Sequence, residues 1–285
     1  MKISPDCIPC AFRQLKSLLD RATTSPRRRS DIYNEFVDVL YSGAPLPYSP
    51  PDYVRVMSQV LFRHCGTVDM YRREKDASTA LACALRGTLQ EELARQPDWF
   101  TAMVKFVIGG NILDYGIFDD LNLETARKLM LEVFDLPLEG EKINALRDAL
   151  DKANSIFYIL DNCGEAVFDA MLLERYRGKV AIGVRGGPAL NDVTRRELEA
   201  SGLAEFPVYD TGDFTPGVNL ATTSSEFLAK MRSADVVVAK GQGNLESMDG
   251  YDRPIFFLFR AKCPVVCNYL GGLPLNSLQI LPRNL

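Results

Sequence analysis

Asp161 and Asn162 are the residues in this chain whose types and position best suit chemistry. They follow residues 155–160, a short apolar run with the length and the β-branched or aromatic content of a buried strand. An apolar segment with helical spacing comes next, so both side chains are expected at the carboxyl edge of a sheet, where open α/β sheets bind ligands. Their oxygen atoms suit Mg²⁺ or Mn²⁺. The alternative is that Asp161 only caps the following helix.

Polar residues also follow three later apolar runs, and together they indicate one site. Asn191 and Asp192 come after the run at residues 179–184. The other two runs are followed by Asp-Thr-Gly-Asp at residues 210–213 and by Lys-Gly-Gln-Gly-Asn at residues 240–244. In a parallel sheet all these strand ends share one edge. Oxygen ligands, glycines and a lysine at that edge can hold a divalent metal and a phosphate. The alternative is that these polar residues cap four separate helices. Each cap would need only one polar residue, whereas each of these segments has several.

The order of the apolar patterns predicts two regions of different architecture. The N-terminal third has helical spacing, and nothing in it is typical of a strand. In the C-terminal half strand-like and helix-like segments alternate, which is the pattern of a mainly parallel sheet with helices on its faces. We expect the closing strands at residues 254–259 and 263–267. The predicted domains are therefore a helical domain at residues 1–97 and an α/β domain at residues 98–285.

Composition restricts the class of protein. The 285 residues are 47% hydrophobic and 25% charged, as in an ordinary soluble globular protein. The formal net charge of −4 argues against a nucleic-acid partner or an acidic membrane surface. No apolar run reaches the roughly 18 residues that a membrane span needs, and the N-terminus lacks an apolar signal segment. We therefore expect a cytoplasmic protein whose seven cysteines are reduced thiols.

Cys7 and Cys10 form a single C-x-x-C pair near the N-terminus. A closed structural zinc site has four ligands, so this pair would need two more, for which His64 and Cys65 are the nearby candidates. The alternative is that both thiols are small buried residues at the start of the first helix. We predict no catalytic role for either cysteine.

Four motifs resemble those of the ARMT-like damage-control phosphatase family in order and spacing, along nearly the whole chain. The motifs are Gly110-Asn111-Ile112-Leu113-Asp114, Asp161-Asn162-Cys163-Gly164-Glu165, Gly187-Pro188-Ala189-Leu190-Asn191-Asp192 and Lys240-Gly241-Gln242-Gly243-Asn244. The C-x-x-C pair is similar to that of the microbial branch of the family. Asp69, Tyr71 and Lys75 also resemble a family segment. In that segment Met70 replaces a usual proline and Thr79 a usual asparagine.

The resemblance implies a fold and an activity. The fold would be a three-layer α/β/α sandwich with a mainly parallel sheet, preceded by an all-helical N-terminal domain. The activity would be that of a metal-dependent phosphatase for small phosphorylated metabolites, such as sugar phosphates or damaged by-products, with Mg²⁺, Mn²⁺, Co²⁺ or Ni²⁺. By the matching motifs, the metal ligands would be Asp161, Asn162 and Asp192. The catalytic residues would be Lys240, Glu165 and Asp192, and the substrate-binding residues Gly110, Asn111, Asp114, Gly241 and Asn244.

Two mechanisms fit these residues. In the preferred one Glu165 or Asp192 orients a water molecule that attacks phosphorus directly. Lys240 and a bound metal ion would then offset charge on the transferring phosphoryl group. In the other mechanism Asp161 attacks as a covalent nucleophile. Phosphatases of the haloacid-dehalogenase type have a second aspartate two residues after the first, where this chain has Cys163.

Two other functions compete with phosphate hydrolysis. A methyltransferase that uses S-adenosylmethionine shares the α/β core, but it typically carries its glycine-rich loop after the first strand. Here the glycine-rich segment follows a late strand and contains Lys240, which favours phosphate. The third hypothesis is a non-catalytic protein that binds a metal or a nucleotide. The sequence leaves open whether the chain acts alone or as a homo-oligomer.

Overall fold

The centre of the protein is a six-stranded, mostly parallel sheet. The computed structural model describes residues 1–42, 49–66, 68–113 and 123–285. The strands are β1 Ile156–Ile159, β2 Val180–Val184, β3 Val208–Asp210, β4 Val236–Lys240, β5 Ile255–Arg260 and β6 Leu278–Arg283. Their order across the sheet is β3-β2-β1-β4-β5-β6, with β1 to β5 parallel and β6 antiparallel to β5. The central strands are short, continuously apolar runs because both faces of a parallel sheet are buried.

Helices cover the sheet and precede it in the chain. They are α1 Cys7–Ala22, α2 Pro26–Tyr41, α3 Pro50–Cys65, α4 Arg72–Ala94, α5 Trp99–Gly109, α6 Leu123–Glu132, α7 Gly140–Lys152, α8 Cys163–Leu173, α9 Ser225–Ser233, α10 Gln242–Met248 and α11 Pro264–Tyr269. Several begin at sequence signals for helix starts. Ser49 and Asp52 form a capping box at α3, and the Asp98 side chain caps α5. Each helix in the described ranges is too short or too polar to span a bilayer.

The side chains of the sheet divide between two hydrophobic clusters, one on each face. In β1, Ile156 and Tyr158 point into the cluster that contains α4 to α8. Phe157 and Ile159 point into the other cluster, which contains α9, α10 and α11. This alternation follows from the two-residue period of a strand. Helices on both faces of a mainly parallel sheet confirm the predicted three-layer α/β/α fold.

The first three helices form a hydrophobic cluster of their own. Leu15, Ile32, Phe36, Met57 and Val60 are fully buried in it. By contrast, α4 packs against α8 and belongs to the hydrophobic cluster of the sheet. The hydrophobic packing therefore groups α1 to α3 in a cluster of their own, which also includes Tyr71 and contacts Leu190 and Val265. The predicted domain boundary between residues 97 and 98 stays a prediction.

One predicted strand is a helix instead. Residues 263–267 were expected to close the sheet, but Pro264 begins α11, where it occupies the first helical turn. Proline is favoured at that position because N–H groups in the first turn have no partner within the helix. The absence of an N–H group in proline therefore costs no hydrogen bond. A short apolar run does not by itself distinguish a buried strand from a buried helix. The strand beside β5 is β6, and it runs antiparallel.

The strand order creates a crevice between β1 and β4. From β1 the chain moves outward through β2 to β3, and it then returns to the other side of β1 to form β4. Helices that follow β1 and β4 therefore diverge to opposite faces of the sheet. In open α/β sheets this reversal point, at the carboxyl ends of the strands, is where ligands bind. Asp161 follows β1 and Gly241 follows β4, so both lie at this point.

Candidate active site

A cavity of about 330 Å³ opens at the reversal point of the sheet. The floor of the cavity comes from the segments that follow β1, β2 and β4. It also includes Asn111, which follows Gly110, the C-cap residue of α5. The floor residues are Asn111, Asp161, Asn162, Glu165, Asp192 and Gly241. Residues of α1 and α3 also line the cavity. Six residues that the sequence assigned to one site therefore line one cavity.

The backbone holds Asp161, Asn162 and Asp192 together. Asn162 and Asp192 form an isolated antiparallel bridge. The Val193 amide donates a hydrogen bond of 2.8 Å to the Asp161 carbonyl oxygen, and the Cys163 amide donates one of 3.1 Å to the Asn191 carbonyl oxygen. The segments after β1 and β2 thus run side by side beyond the sheet. All three side chains are buried at the floor of the cavity.

The floor carries an excess of negative charge. Burial, followed by the nearby carboxylates of Asp192 and Glu165, raises the pKa of Asp161 well above its usual value. Arg185 opposes this effect from below. Its Nε donates a 2.6 Å hydrogen bond to Asp192 Oδ2, and its Nη2 lies 3.8 Å from Asp161 Oδ1. Clustered carboxylates at the floor of a cavity favour the binding of a cation.

The donor set suits a hard divalent metal ion. Two carboxylates and one side-chain amide supply oxygen atoms, which Mg²⁺ and Mn²⁺ prefer. The described residues contain no group of three or more His, Cys, Asp or Glu side chains arranged to hold a metal. The candidate set of Asp161, Asn162 and Asp192 includes only two such residues, so most of the coordination sphere would be left for water and substrate. The residues therefore fit a hydrated, substrate-bridging ion rather than a closed structural site.

Lys240 lies beneath the floor of the cavity and is completely buried. Its ammonium group donates hydrogen bonds to the Val107 carbonyl oxygen at 2.8 Å, to Asp169 Oδ1 at 2.9 Å and to Glu165 Oε1. Burial lowers the pKa of Lys240, but Asp169 and Glu165 outweigh it and the net change is upward. All three N–H groups are used within the protein. This differs from the sequence expectation that Lys240 faces a phosphate directly.

A hydrogen-bonded network connects Lys240 to the cavity through Glu165. Asn111 Nδ2 donates a 2.9 Å hydrogen bond to Glu165 Oε2, and Tyr158 donates one of 2.6 Å to Asp169 Oδ1. Glu165 and Asp169 are four residues apart on α8 and so present their carboxylates on the same face. The Asn111 amide oxygen has no hydrogen-bond partner among the described residues. It is thus a buried acceptor at the cavity floor.

The other predicted site residues have different surroundings. Asn244 is fully buried, and its Nδ2 donates to the Lys240 carbonyl oxygen at 2.6 Å, which joins α10 to the end of β4. Gly110 packs against Phe168, where an added Cβ would lie only 2.8 Å from the ring. Neither residue lines the cavity in the described part of the chain. Asp114 lies outside the described residues. Asp210, at the end of β3, pairs with Arg195 at 2.6 Å, away from the cavity.

Cys7 and Cys10 lie at the cavity, one buried and one exposed. Of the two proposed zinc partners, His64 is engaged differently, because its Nε2 lies 2.6 Å from Glu35 Oε2. As stated above, no metal-binding group of three such side chains occurs in the described ranges. Burial raises the pKa of the Cys7 thiol, which disfavours the thiolate that a metal would require.

Two residues of the site were not identified from the sequence. Arg185 directly follows β2, as Asp161 closely follows β1, so its position at a strand end was an available signal. Asp169 was available from its spacing of four residues to Glu165 on a predicted helix. Arg185 holds Asp192, which lines the cavity, and Asp169 holds Lys240, which in turn contacts Glu165 of the floor.

The fold and the cavity together define a class of protein: an α/β/α sandwich with a cavity at the reversal point of the sheet that N-terminal helices also line. Comparison with family models gives a more specific assignment than this class. A family model of the damage-control phosphatase ARMT1-like domain matches residues 3–274, so the chain belongs to that family.

Relatives and a solved structure agree with this assignment. The chain is 32% identical over 288 residues to a damage-control phosphatase of Pyrococcus horikoshii, covering 95% of this chain and 94% of the relative. It is 27% identical over 281 residues to a damage-control phosphatase of Archaeoglobus fulgidus, covering 95% and 96%. The crystal structure of a DUF89 family protein from Pyrococcus horikoshii superimposes with a TM-score of 0.85 at 28% identity, over 98% of each chain.

Proposed function

We propose that the protein is a metal-dependent phosphatase that hydrolyses phosphate monoesters of small metabolites. The observation that carries this proposal is the buried cluster of Asp161, Asn162 and Asp192 at the reversal point of the sheet, inside a cavity of small-molecule size. Two relatives that are named damage-control phosphatases support it. The acidic floor by itself would repel a phosphate, so a bound cation is needed before the substrate can enter.

Asp161, Asn162 and Asp192 would hold Mg²⁺, Mn²⁺, Co²⁺ or Ni²⁺. When bound, the ion supplies positive charge that polarises the phosphoryl group. Arg185 keeps the Asp192 carboxylate in place through the 2.6 Å hydrogen bond to its Oδ2. The role of Arg185 is therefore to position Asp192 as a metal ligand.

Glu165 would accept a hydrogen bond from the attacking water and take its proton. The water oxygen forms a bond to phosphorus as the P–O bond to the alcohol breaks, and the leaving alkoxide oxygen takes up the proton that Glu165 accepted from the water. Lys240 and Asn111 fix the orientation of the Glu165 carboxylate, since each donates to one of its two oxygens. The Asn111 amide oxygen, which has no hydrogen-bond partner among the described residues, would accept a hydrogen bond from the water or from a substrate hydroxyl group.

The proposal is tested by phosphate release from p-nitrophenyl phosphate after removal of metals with a chelator. We expect release only when Mg²⁺, Mn²⁺, Co²⁺ or Ni²⁺ is restored. Glu165→Gln should lower kcat by about 10²-fold or more, because it removes the proton acceptor, while the rise of Tm on addition of Mn²⁺ persists. Absence of metal-dependent release by the wild-type chain would refute the proposal. Binding of Mn²⁺ without turnover would favour a non-catalytic protein. Binding of S-adenosylmethionine would favour a methyltransferase.

Gly241→Ala is expected to lower phosphate release at least about tenfold, because small misplacements of reacting groups are costly. Gly241 has a φ of +81°, and a Cβ there would overlap the Asp161 carboxylate. The substitution must therefore displace Asp161 or the turn that follows β4. Gly250→Ala is the matched control, because an added Cβ there has nothing within 4 Å. Equal kcat/KM for the two variants would show that the close approach to Asp161 has no role.

A further inference from the structure

Three of the seven cysteines line the candidate active-site cavity. They are Cys7 and Cys10 at the start of α1 and Cys263, the N-cap residue of α11. Cys7 is buried, Cys263 is half-buried and Cys10 is exposed, and all three are free thiols. The phosphatase reaction proposed above uses none of them. The cavity therefore carries a second kind of reactive group beside its polar floor.

The starts of α1 and α11 adjoin each other. Val265, in the first turn of α11, packs against the hydrophobic cluster of α1 to α3 that contains Cys7. Burial, followed by the nearby carboxylate of Glu246 and the thiols of Cys263 and Cys10, raises the pKa of Cys7. Cys7 is thus a weak nucleophile in the resting protein, whereas Cys10 is accessible to small reagents.

Cys7 and Cys10 have the spacing of a disulfide. They are three residues apart in the first turn of α1. A rise of about 1.5 Å per residue and a Cα radius of about 2.3 Å place Cα atoms with this spacing about 5 Å apart. Disulfides join Cα atoms that are roughly 4.4–6.8 Å apart, so this pair can form one within a single helical turn. A bridge from either residue to Cys263 would instead join two separate helices.

We propose that Cys10 is a site of reversible modification by low-molecular-mass disulfides and that Cys7 is its resolving thiol. The Cys10 thiolate attacks one sulfur of the small disulfide, which forms a mixed disulfide and releases the first small thiol. Cys7 then attacks the Cys10 Sγ atom and releases the second small thiol. Each leaving thiolate takes up a proton that an attacking cysteine gave up. The two protein thiols are thereby oxidised to a disulfide, and the small disulfide is reduced to two thiols.

The proximity of the pair makes the second step feasible. A group held next to its target reacts as if it were at very high concentration, which compensates for the low thiolate fraction of Cys7. The first step places the small thiol group in the cavity, whose volume of about 330 Å³ is at the small end of ligand cavities. The second step removes that group again. The pair would therefore clear the cavity after Cys10 has been modified.

The test treats the reduced wild-type chain with hydroxyethyl disulfide, followed by acid quenching and mass analysis of its peptides. We expect Cys10 to end in a disulfide with Cys7, at the cost of two hydrogen atoms in mass, and to keep no hydroxyethylthio group. Cys83 is the internal control, because it is also exposed but has no cysteine within four residues. Its mixed disulfide should persist. Dithiothreitol should reverse both modifications.

Cys7→Ala isolates the first step. Without the resolving thiol, Cys10 should keep one hydroxyethylthio group. Alanine suits the hydrophobic cluster in which Cys7 is buried, and Cys7→Ser takes its place if the alanine variant does not fold. With Cys83→Ser added to prevent modification there, the retained group should abolish phosphate release from p-nitrophenyl phosphate. Dithiothreitol should restore it.

The outcomes separate this inference from the phosphatase function. A hydroxyethylthio group that persists on Cys10 of the wild type, or a disulfide from Cys7 or Cys10 to Cys263, would overturn the inference. So would a Cys10 that stays unmodified while Cys83 reacts, or unchanged phosphate release by the modified Cys7→Ala chain. If the unmodified chain releases no phosphate, the phosphatase function is wrong, and the fate of the thiol group on Cys10 still decides this inference.

Discussion

Asp161→Asn is expected to abolish metal-dependent phosphate release, by about 10²-fold or more, while leaving the metal-free protein at least as stable as the wild type. The loss of activity follows from removal of a charged ligand from the floor. The gain in stability follows from electrostatics. Burial and the neighbouring carboxylates of Asp192 and Glu165 raise the pKa of Asp161, so its ionised form destabilises the metal-free fold near neutral pH.

Two measurements check both parts of this prediction. Thermal unfolding without metal should give the same or a higher Tm for Asp161→Asn, and Mn²⁺ should raise Tm in the wild type but much less in the variant. Asp210→Asn is the matched control, because Asp210 lies at the same edge of the sheet but pairs with Arg195 outside the cavity. We expect the control to keep its activity. Near-wild-type turnover of Asp161→Asn at saturating metal would disprove the assignment of Asp161 as a ligand.

The position of the site could be predicted from the sequence because it depends on local patterns. A buried strand followed by a helix fixes where the strand ends, and parallel strands end at the same edge. Asp161, Asn162 and Asp192 therefore lie close together, as expected from the strand ends. What local patterns could not give was the strand order. The reversal between β1 and β4 determines that Gly241 faces Asp161, whereas the end of β3, also at that edge, lies away from the cavity.

The surroundings of Lys240 show where residue type misleads. A lysine followed by a glycine-rich segment is typical of a phosphate site. The alternation of β4 indicates otherwise, because Val236 and Val238 lie on the face that packs against α8, and Lys240 continues that series. On α8, Glu165 and Asp169 face the strand with a spacing of four residues. The two-residue alternation of β4 and the four-residue spacing of Glu165 and Asp169 were both visible in the sequence. Predicting that Lys240 contacts these two carboxylates also required knowing that α8 covers β4.

Side chains that support the site are harder to predict than those that form it. In the sequence Arg185 belongs to a glycine-rich segment. In the structure it is fully buried beneath two aspartates. Burial of an arginine is favourable only when carboxylates offset the loss of hydration. That compensation comes from Asp192, seven residues later in the chain, which lies beside Arg185 where the Arg185 amide donates a hydrogen bond to the Val193 carbonyl oxygen.

Lys240→Met is expected to lower the free energy of unfolding by roughly 3–5 kcal/mol, the usual cost of breaking a buried ion pair. The variant keeps the length of the side chain but leaves Glu165 and Asp169 buried without their cation. The stability loss is measured by urea unfolding. We also expect kcat to fall more than KM rises, because Glu165 loses the ammonium group that orients it. Lys16→Met is the control for charge alone, since Lys16 is largely exposed in a surface pair.

The dependence of this loss on pH identifies its cause. Burial raises the pKa of Asp169 to about 6, although Lys240 acts against the shift. In the wild type the folded protein thus holds a proton that the unfolded chain has already released, and stability falls as pH rises toward 6. Without Lys240 the pKa of Asp169 rises further, so this fall continues above pH 6. The stability difference between wild type and variant should therefore grow with pH. A second substitution, Asp169→Asn, should reduce that growth, whereas a loss that is equal at all pH values would indicate lost packing instead of lost charge.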